Sequence, residues 1–356
     1  MPRSSRVTLE AISRELNLST SSVSRALRND PLIHPQTRAE VNAMAMRMGY
    51  QGRSRRGPQA TSRQRSIGVL FASSSLTDIK RHIITMSYLQ GMTSEAAGAN
   101  MVLNLQAAQE VTDGATRDAV FDFTQADAWL ICGAHEQESI ARIARMLPIV
   151  SVVQDYPGLN HDMVSTDDFS GTSQLVSRLV ELGHRRCVFV CPRRNKLYIR
   201  LRTAGFLEGA RVAGLDLAEQ VVIEDEFEDG KIGRPEAILQ AIRRGATAVM
   251  SDSDHTAYEI AELLAREGIE VPRDVSLTGY NAIGAPGKKS LRFTSYDPNF
   301  VEMGRAAVRL AKWRLENPSA ALVQVTVRGK VVDGETIAPP PGRTASKTSG
   351  SRSRKG

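Results

Sequence analysis

Between residues 67 and 279, short apolar runs alternate with longer stretches of helical periodicity, and that rhythm leaves few folds open to the chain. Ile67-Gly68-Val69-Leu70-Phe71-Ala72 is continuously apolar and bounded by polar residues, the mark of a strand covered on both faces. The pattern then predicts a helix at 82–97, a strand at 101–105, a helix at 115–123, and strands at 128–132 and, after Pro148, at 149–153. A helix at 168–182 closed by Gly183 follows, then a strand at 187–191, a helix at 201–214 and a strand at 221–224. The series ends with a helix at 234–244, a strand at 246–250, a helix at 256–267 and a strand at 274–279. Strands separated by helices pair in parallel, so the expected fold is α/β and doubly wound. The alternation supplies two halves of similar size. Beyond residue 279 the sequence is read through short motifs rather than periodicity.

A chain of 356 residues is long for one compact domain, and 41% hydrophobic residues are ample for more than one core. No run approaches the roughly 18 apolar residues that a membrane span needs. Met-Pro-Arg-Ser-Ser-Arg at the start is followed by no apolar segment, so a cytoplasmic protein without a secretory signal is expected. The net charge of +7 is unevenly spread: residues 1–66 hold 12 Lys/Arg against 4 Asp/Glu, and residues 341–356 hold 5 basic residues and no acidic one. The middle is left mildly acidic. Cationic ends on an acidic body suit phosphate neutralisation by nucleic-acid contacts. Cys132, Cys187 and Cys191 have neither disulfide nor metal-ligand spacing, and the last two would lie about 13 Å apart along a strand, so buried free thiols are expected.

The first 50 residues read as three short helices. Thr8 is placed to cap a helix at 9–16 whose Ile12 and Leu16 point inward, and Asn17-Leu18 turns the chain into a second. That second stretch, Ser-Thr-Ser-Ser-Val-Ser-Arg-Ala-Leu-Arg at 19–28, puts Val23, Ala26 and Leu27 on one face and Thr20, Ser21, Ser24 and Arg25 on the other. Ser19 is its natural N-cap. Pro35 opens a third helix with Val41, Met44, Ala45 and Met48 as its apolar stripe. Three helices with the second presented outward make a helix-turn-helix unit, in which short hydroxyls approach phosphate and Arg25 is long enough to reach a base edge. Taken alone, Arg25 is equally a solvated residue on a polar face.

The same residues resemble the opening of the lactose-repressor (LacI/GalR) family of transcription regulators. Val7-Thr8-Leu9-Glu10-Ala11-Ile12 and Ser19-Thr20-Ser21-Ser22-Val23-Ser24-Arg25-Ala26-Leu27 meet its V-T-x-x-x-I-A and V-S-x-x-T-V-S-R-x-L patterns, with Ser13 and Ser22 as departures. The resemblance implies that Thr20, Ser21 and Arg25 read bases in the major groove and that Ser19, Ser22, Ser24, Thr37 and Tyr50 face phosphates. Arg28 stands where asparagine is more usual. Where the family has a hinge helix, Gly52, Arg53 and Gln59 replace its proline, asparagine and leucine. Arg53, Arg55 and Arg56 then lie along phosphates or a narrow minor groove, or the segment is a flexible tether.

The resemblance runs from about residue 7 to residue 329. Leu182-Gly183-His184-Arg185-Arg186 is similar to the family's L-G-H-R-x, Arg202-Thr203-Ala204-Gly205-Phe206 to its R-x-x-G-[FYW], and 268–276 to its G-x-x-V-P-x-D-V-S. Phe293-Thr294-Ser295-Tyr296 and Val327-Arg328-Gly329 complete the series. The implied architecture is an all-α helix-turn-helix domain at 1–50, a basic linker or atypical hinge at 51–66, a two-lobed effector-binding and dimerisation domain of the periplasmic-binding type at 67–338, and a disordered basic tail at 339–356. An effector between lobes at the carboxyl ends of the strands would use Ser73, Arg202, Phe227, Ser253, Asp254 and Asn281. A fork of donors, a carboxylate and an aromatic face suit a sugar. Each has a plainer reading as well: Arg202 as a solvated helix residue, Asp254 as an N-cap ahead of Thr256, Phe227 as core. Asn281 stands where the family has an aspartate, which removes a charged acceptor.

The expected partners are therefore an inverted-repeat operator in double-stranded DNA, a small-molecule effector, a carbohydrate or related metabolite, and a second copy of the chain, with no membrane, cofactor or metal. Ligand would shift the molecule between two states that space the DNA-binding heads differently. No P-loop, dinucleotide turn, G-x-S-x-G elbow or H-E-x-x-H occurs, and Asp252-Ser253-Asp254-His255 reads as a cap and turn before a catalytic cluster. A solute-binding protein is the alternative, but it needs an export signal and has no use for a basic helical head.

Overall fold

Thr8, Ser19 and Pro35 begin the first three helices as their chemistry requires. In the computed structural model, which describes residues 7–27, 30, 32–48, 50, 64–72, 79–108, 125–192, 196–225, 232–283 and 291–342, these are α1 (Leu9–Glu15), α2 (Thr20–Ala26) and α3 (Pro35–Met48). The Thr8 hydroxyl accepts from the Ala11 amide, and Ser19 Oγ accepts from the Ser22 amide at 3.0 Å. Ile12, Val23, Ala26, Val41 and Ala45 are buried together, with Leu9, Leu16, Leu18, Leu27, Met44, Met48 and Tyr50 packed around them. The apolar stripes read from the sequence are thus the ones that meet.

The chain folds as two compact units, Met1–Ser165 with Val301–Val325 and Thr166–Phe300 with Thr326–Gly356. In the first, β1 (Ser66–Ala72) is buried along its whole length and lies between β2 (Val102–Ala108) and β3 (Ala128–Cys132), parallel to both. β4 (Ile149–Val152) and β5 (Asp162–Thr166) extend the sheet, and β11 (Gln324–Val327) closes its edge. Helices α4 (Ile79–Gly98) and α5 (Gln137–Ala144) fall between the strands. β5 and α5 are absent from the sequence-based alternation. β5 is half polar, and its Asp162 is buried only because Arg314, on α10 (Phe300–Glu316), donates Nε and Nη2 to it at 2.6 and 2.7 Å while the Val323 amide donates at 2.9 Å. Those partners lie about 150 residues away in sequence.

The second unit holds a four-stranded parallel sheet in the order β7-β6-β8-β9, comprising β6 (Cys187–Pro192), β7 (Val221–Asp225), β8 (Ala248–Ser251) and β9 (Ser276–Thr278). Around it lie α6 (Asp168–Leu182), α7 (Leu197–Val212), α8 (Pro235–Arg243) and α9 (Asp254–Arg266). β6 shows why both faces are covered. Its Val188 and Val190 pack into one cluster with Ile238, Ile260 and Leu264 of α8 and α9, while Cys187, Phe189 and Cys191 pack into another with Leu175, Leu179 and Phe206 of α6 and α7. Cys187 and Cys191 are free and buried, and burial pushes both thiols up to about 12. Cys132 is likewise a free buried thiol. Gly183 ends α6 in the left-handed region at φ 105°, as expected of a glycine C-cap. Two further strands, β10 (Ser295–Asp297) and β12 (Lys330–Val332), pair antiparallel.

α7 begins four residues and α9 two residues earlier than periodicity suggests; the added residues of α9, Asp254 and His255, are polar, whereas α7 gains the largely apolar turn Leu197-Tyr198-Ile199-Arg200. The helix expected at 115–123, linker residues 51–63 and tail residues 343–356 lie outside the described residues, as do Arg28, Arg53, Ser73 and Phe227. No helix among the described residues is long and apolar enough to cross a membrane.

Candidate functional sites

The outward face of α2 is a hydroxyl cluster with the Arg25 cation beside it. Ser19 Oγ lies 2.8 Å from both Ser21 Oγ and Ser22 Oγ, and Thr20 is exposed. Ser24, Arg25 and Thr37 are partly exposed. Arg25 donates Nε to Asp30 Oδ2 at 2.7 Å, and this pair holds its pKa above the ordinary value. Tyr50 is tucked against the helical core, with its amide donating to the Ala45 carbonyl at 2.9 Å. The groups expected to meet phosphate and base therefore share one small module.

The second candidate site lies in the second unit, beyond the carboxyl ends of β6 and β8, where the strand order reverses. Gly205 makes it possible. A side chain there would put Cβ 2.2 Å from the Phe169 carbonyl oxygen, so the glycine lets α7 press against the first turn of α6. One turn before Gly205, Arg202 is brought to Asp168 at the start of α6, donating Nε to Oδ1 at 2.7 Å. Its Nη1 donates to the Asp252 carbonyl at the end of β8, its Nη2 approaches Asn281 Oδ1 at 3.5 Å, and its guanidinium lies 3.7 Å from the centre of the Tyr280 ring. Thr166 closes the cluster by donating to Asp168 Oδ2.

The electrostatics follow from burial. Arg202 is only 5% exposed. Burial by itself disfavours its charge, but the Asp168 carboxylate and the neighbouring polar groups outweigh that, and its pKa stands above the ordinary arginine value. Burial raises Asp252, although the Thr256 hydroxyl donates to its Oδ1 at 2.6 Å, and burial likewise raises Tyr280. Of the five guanidinium hydrogens, three point at protein acceptors.

The remaining expected residues sort by local geometry. Ser253 is the N-cap of α9, accepting from the Thr256 amide at 3.2 Å. The cap anticipated at Asp254 is therefore one residue earlier. Asp254 is 1% exposed and accepts from the Ile283 amide and the Ser295 hydroxyl, each at 2.7 Å, tying α9 to the loop after β9 and to β10. Asp252 and Ser253 thus both engage Thr256 while Asp254 faces the other way, the cap and turn that their adjacency suggests. Asn281 takes φ 94°, in the left-handed region, with its amide bound to the Tyr296 carbonyl at 2.8 Å. Tyr198, whose ring centre lies 5.1 Å from the Arg202 guanidinium, belongs to the cluster with Asp168 and Tyr280, and the sequence singles out none of the three. The only signal was the pair Asp167-Asp168 opening a helix.

The profile of the periplasmic binding protein-like domain matches residues 176–337. The HTH-type transcriptional repressor PurR of Haemophilus influenzae is 22% identical over 329 residues, 89% of this chain and 94% of that one. The chain carries a periplasmic binding protein-like domain and is similar to HTH-type transcriptional repressors. Among solved structures, a LacI family transcriptional regulator from Enterococcus faecium with bound ribose superposes at a TM-score of 0.60 with 20% identity, covering 77% of this chain and 99% of that one. The lac repressor dimer bound to operator and the anti-inducer ONPF gives a TM-score of 0.60 with 18% identity, over 94% of this chain and 100% of that one.

Proposed function

We propose that this chain is a dimeric, sequence-specific transcription regulator, acting as a repressor, whose helix-turn-helix head binds an inverted-repeat operator and whose α/β body responds to a carbohydrate or related metabolite. The observation that carries the reading is the α2 module: a capped helix with an apolar back and a face of hydroxyls plus Arg25, carried on a segment of strong positive charge. Thr20, Ser21 and Arg25 take the base edges, and Ser19, Ser22, Ser24, Thr37 and Tyr50 the phosphates, with Arg28 and Arg53 adding cationic reach. Effector recognition is assigned to Arg202, Ser253, Asp254 and Asn281, together with Ser73 and Phe227. Arg202 and Asp254 serve it chiefly by fixing the surface on which a ligand sits, because protein acceptors and donors already hold them.

Relatives that are repressors, and a solved neighbour that carries ribose, support regulation over solute transport and a sugar over other ligands. No reaction is assigned to the chain, and a cytoplasmic site of action goes with the proposal. Selection of duplexes from a random pool by the full chain, repeated with a panel of sugars, tests it. Enrichment of a palindrome whose recovery changes with one sugar is expected. Recovery of no sequence preference at about 100 mM salt would sink the DNA-reading role.

A further inference from the structure

Arg25 is not a free arginine. Asp30, five residues on and just past the end of α2, takes its Nε at 2.7 Å, and Asp30 is itself pinned: its Oδ1 accepts from the Leu32 amide at 3.0 Å and its own amide donates to the Arg25 carbonyl at 3.1 Å. The carboxylate is thus built into the backbone turn that leaves α2, and it holds the guanidinium by the one nitrogen that carries a single hydrogen. The side chain of Arg25 remains 40% exposed.

We propose that Asp30 is a positioning residue for base reading: it fixes the plane of the Arg25 guanidinium so that the two terminal nitrogens face the groove, and the pair sets the base preference that Arg25 alone would set only loosely. The inference rests on Arg25 being a base reader. A guanine presents two acceptors, O6 and N7, to a fork of two N–H groups, and an arginine whose Nε is already engaged offers such a fork end-on. A free arginine must give up its rotamer freedom when it binds, whereas a tethered one has already done so.

A purely electrostatic role predicts the opposite sign. A carboxylate beside a DNA-facing helix repels phosphate, so neutralising it would tighten binding to every duplex. The positioning role predicts that neutralising it weakens binding to the preferred duplex while leaving binding to any other duplex unchanged or tighter. The two effects separate when both duplexes are measured with one variant.

The test uses the full-length chain, the duplex it selects from a random pool, and a shuffled duplex of equal length and composition, at fixed salt. Asp30→Asn keeps an oxygen for the Leu32 amide but loses the charge that holds Arg25; Asp30→Ser offers a hydroxyl to the same amide and is too short to reach the guanidinium. Both are expected to bind the selected duplex about tenfold more weakly, equal to about 1.4 kcal/mol. Both should also relax the base preference at one position of each half-site and bind the shuffled duplex at least as well as wild type. In the Arg25→Ala background, either change should cost nothing further on the selected duplex.

A folding defect would lower binding to both duplexes and shift the thermal melt, so selective loss with an unchanged melt is the supporting outcome. Wild-type base preference in both Asp30 variants, with Arg25→Ala blurring it, overturns the role of Asp30 and leaves Arg25 standing. Wild-type preference in Arg25→Ala removes both.

Discussion

A guanidinium taken out of water is tolerated only where acceptors surround it, and Arg202 has Asp168, the Asp252 carbonyl and the face of Tyr280. Truncating it leaves the buried Asp168 with the Thr166 hydroxyl but without its counter-charge, so Arg202→Ala is expected to destabilise the protein by about 3–5 kcal/mol in urea unfolding. Arg202→Lys recovers little of this, since an ammonium cannot satisfy Asp168 and a carbonyl in the same plane. Loss of sugar binding in Arg202→Ala is therefore informative only where the variant is shown to be folded. Arg25→Ala, at a partly exposed position whose ion pair with Asp30 adds little to folding, should change stability by no more than about 1 kcal/mol and cost about 1–3 kcal/mol on the selected operator, read as relaxed preference at one base pair. The two arginines also differ in how much the sequence could say. The R-x-x-G-[FYW] match singled out Arg202, but its acceptor Asp168 lies 34 residues away and Tyr280 further still, so its burial was beyond sequence reasoning. For Arg25 the partner is five residues on, and still the sequence reads as a free cation, because Asn29-Asp30-Pro31 looks like any turn.

At the scale of elements, the close seating of α7 on α6 controls the Arg202 cluster, and Gly205 controls the seating. Gly205→Ala introduces a Cβ 2.2 Å from a backbone oxygen that cannot move without its helix. A loss of about 1–3 kcal/mol in unfolding experiments is expected, together with weaker effector binding measured by calorimetry, although residue 205 would touch no ligand. A second tie is His184, just after α6: it sits between the Thr247 hydroxyl and the Ala338 carbonyl, each 2.8 Å from a ring nitrogen, and joins the start of β8 to the segment after β12. Burial lowers its pKa below the ordinary value near 6.5, against the opposing pull of the Ala338 carbonyl. Unfolded, the imidazole binds its proton more readily than folded, so this group's stabilisation is present above pH 6.5 and is lost as pH falls from there toward the folded value. Unfolding free energy measured across that range should fall with acidity, and His184→Gln should flatten the slope. Strand and helix order were legible here because apolar runs repeat with the right period, as in β6 and α6. β5 was not, because a strand carrying Asp162 is held by a fork from Arg314 that no local pattern announces.

On the scale of the whole chain, charge is the organising quantity, and composition already showed it. Residues 1–66 carry 12 basic against 4 acidic side chains, and residues 341–356 carry 5 basic and none acidic, while the stretch joining them is acidic on balance. A polycation that neutralises phosphates releases counterions, so its affinity for any duplex falls steeply with salt, whereas base contacts add an increment that salt scarcely touches. In the proposed function the head makes both kinds of contact; the residues after 342 have charge but no apolar periodicity with which to build a reading surface. Deleting residues 343–356 should therefore lower affinity for selected and shuffled duplexes by the same factor and make the plot of log affinity against log salt less steep. The ratio between the two duplexes should be unchanged. A protein that reads with its head and is merely held by its other end must behave in this way. If the deletion instead altered the ratio, the basic end would be contacting particular bases, and the division of labour between the two cationic ends would have to be redrawn.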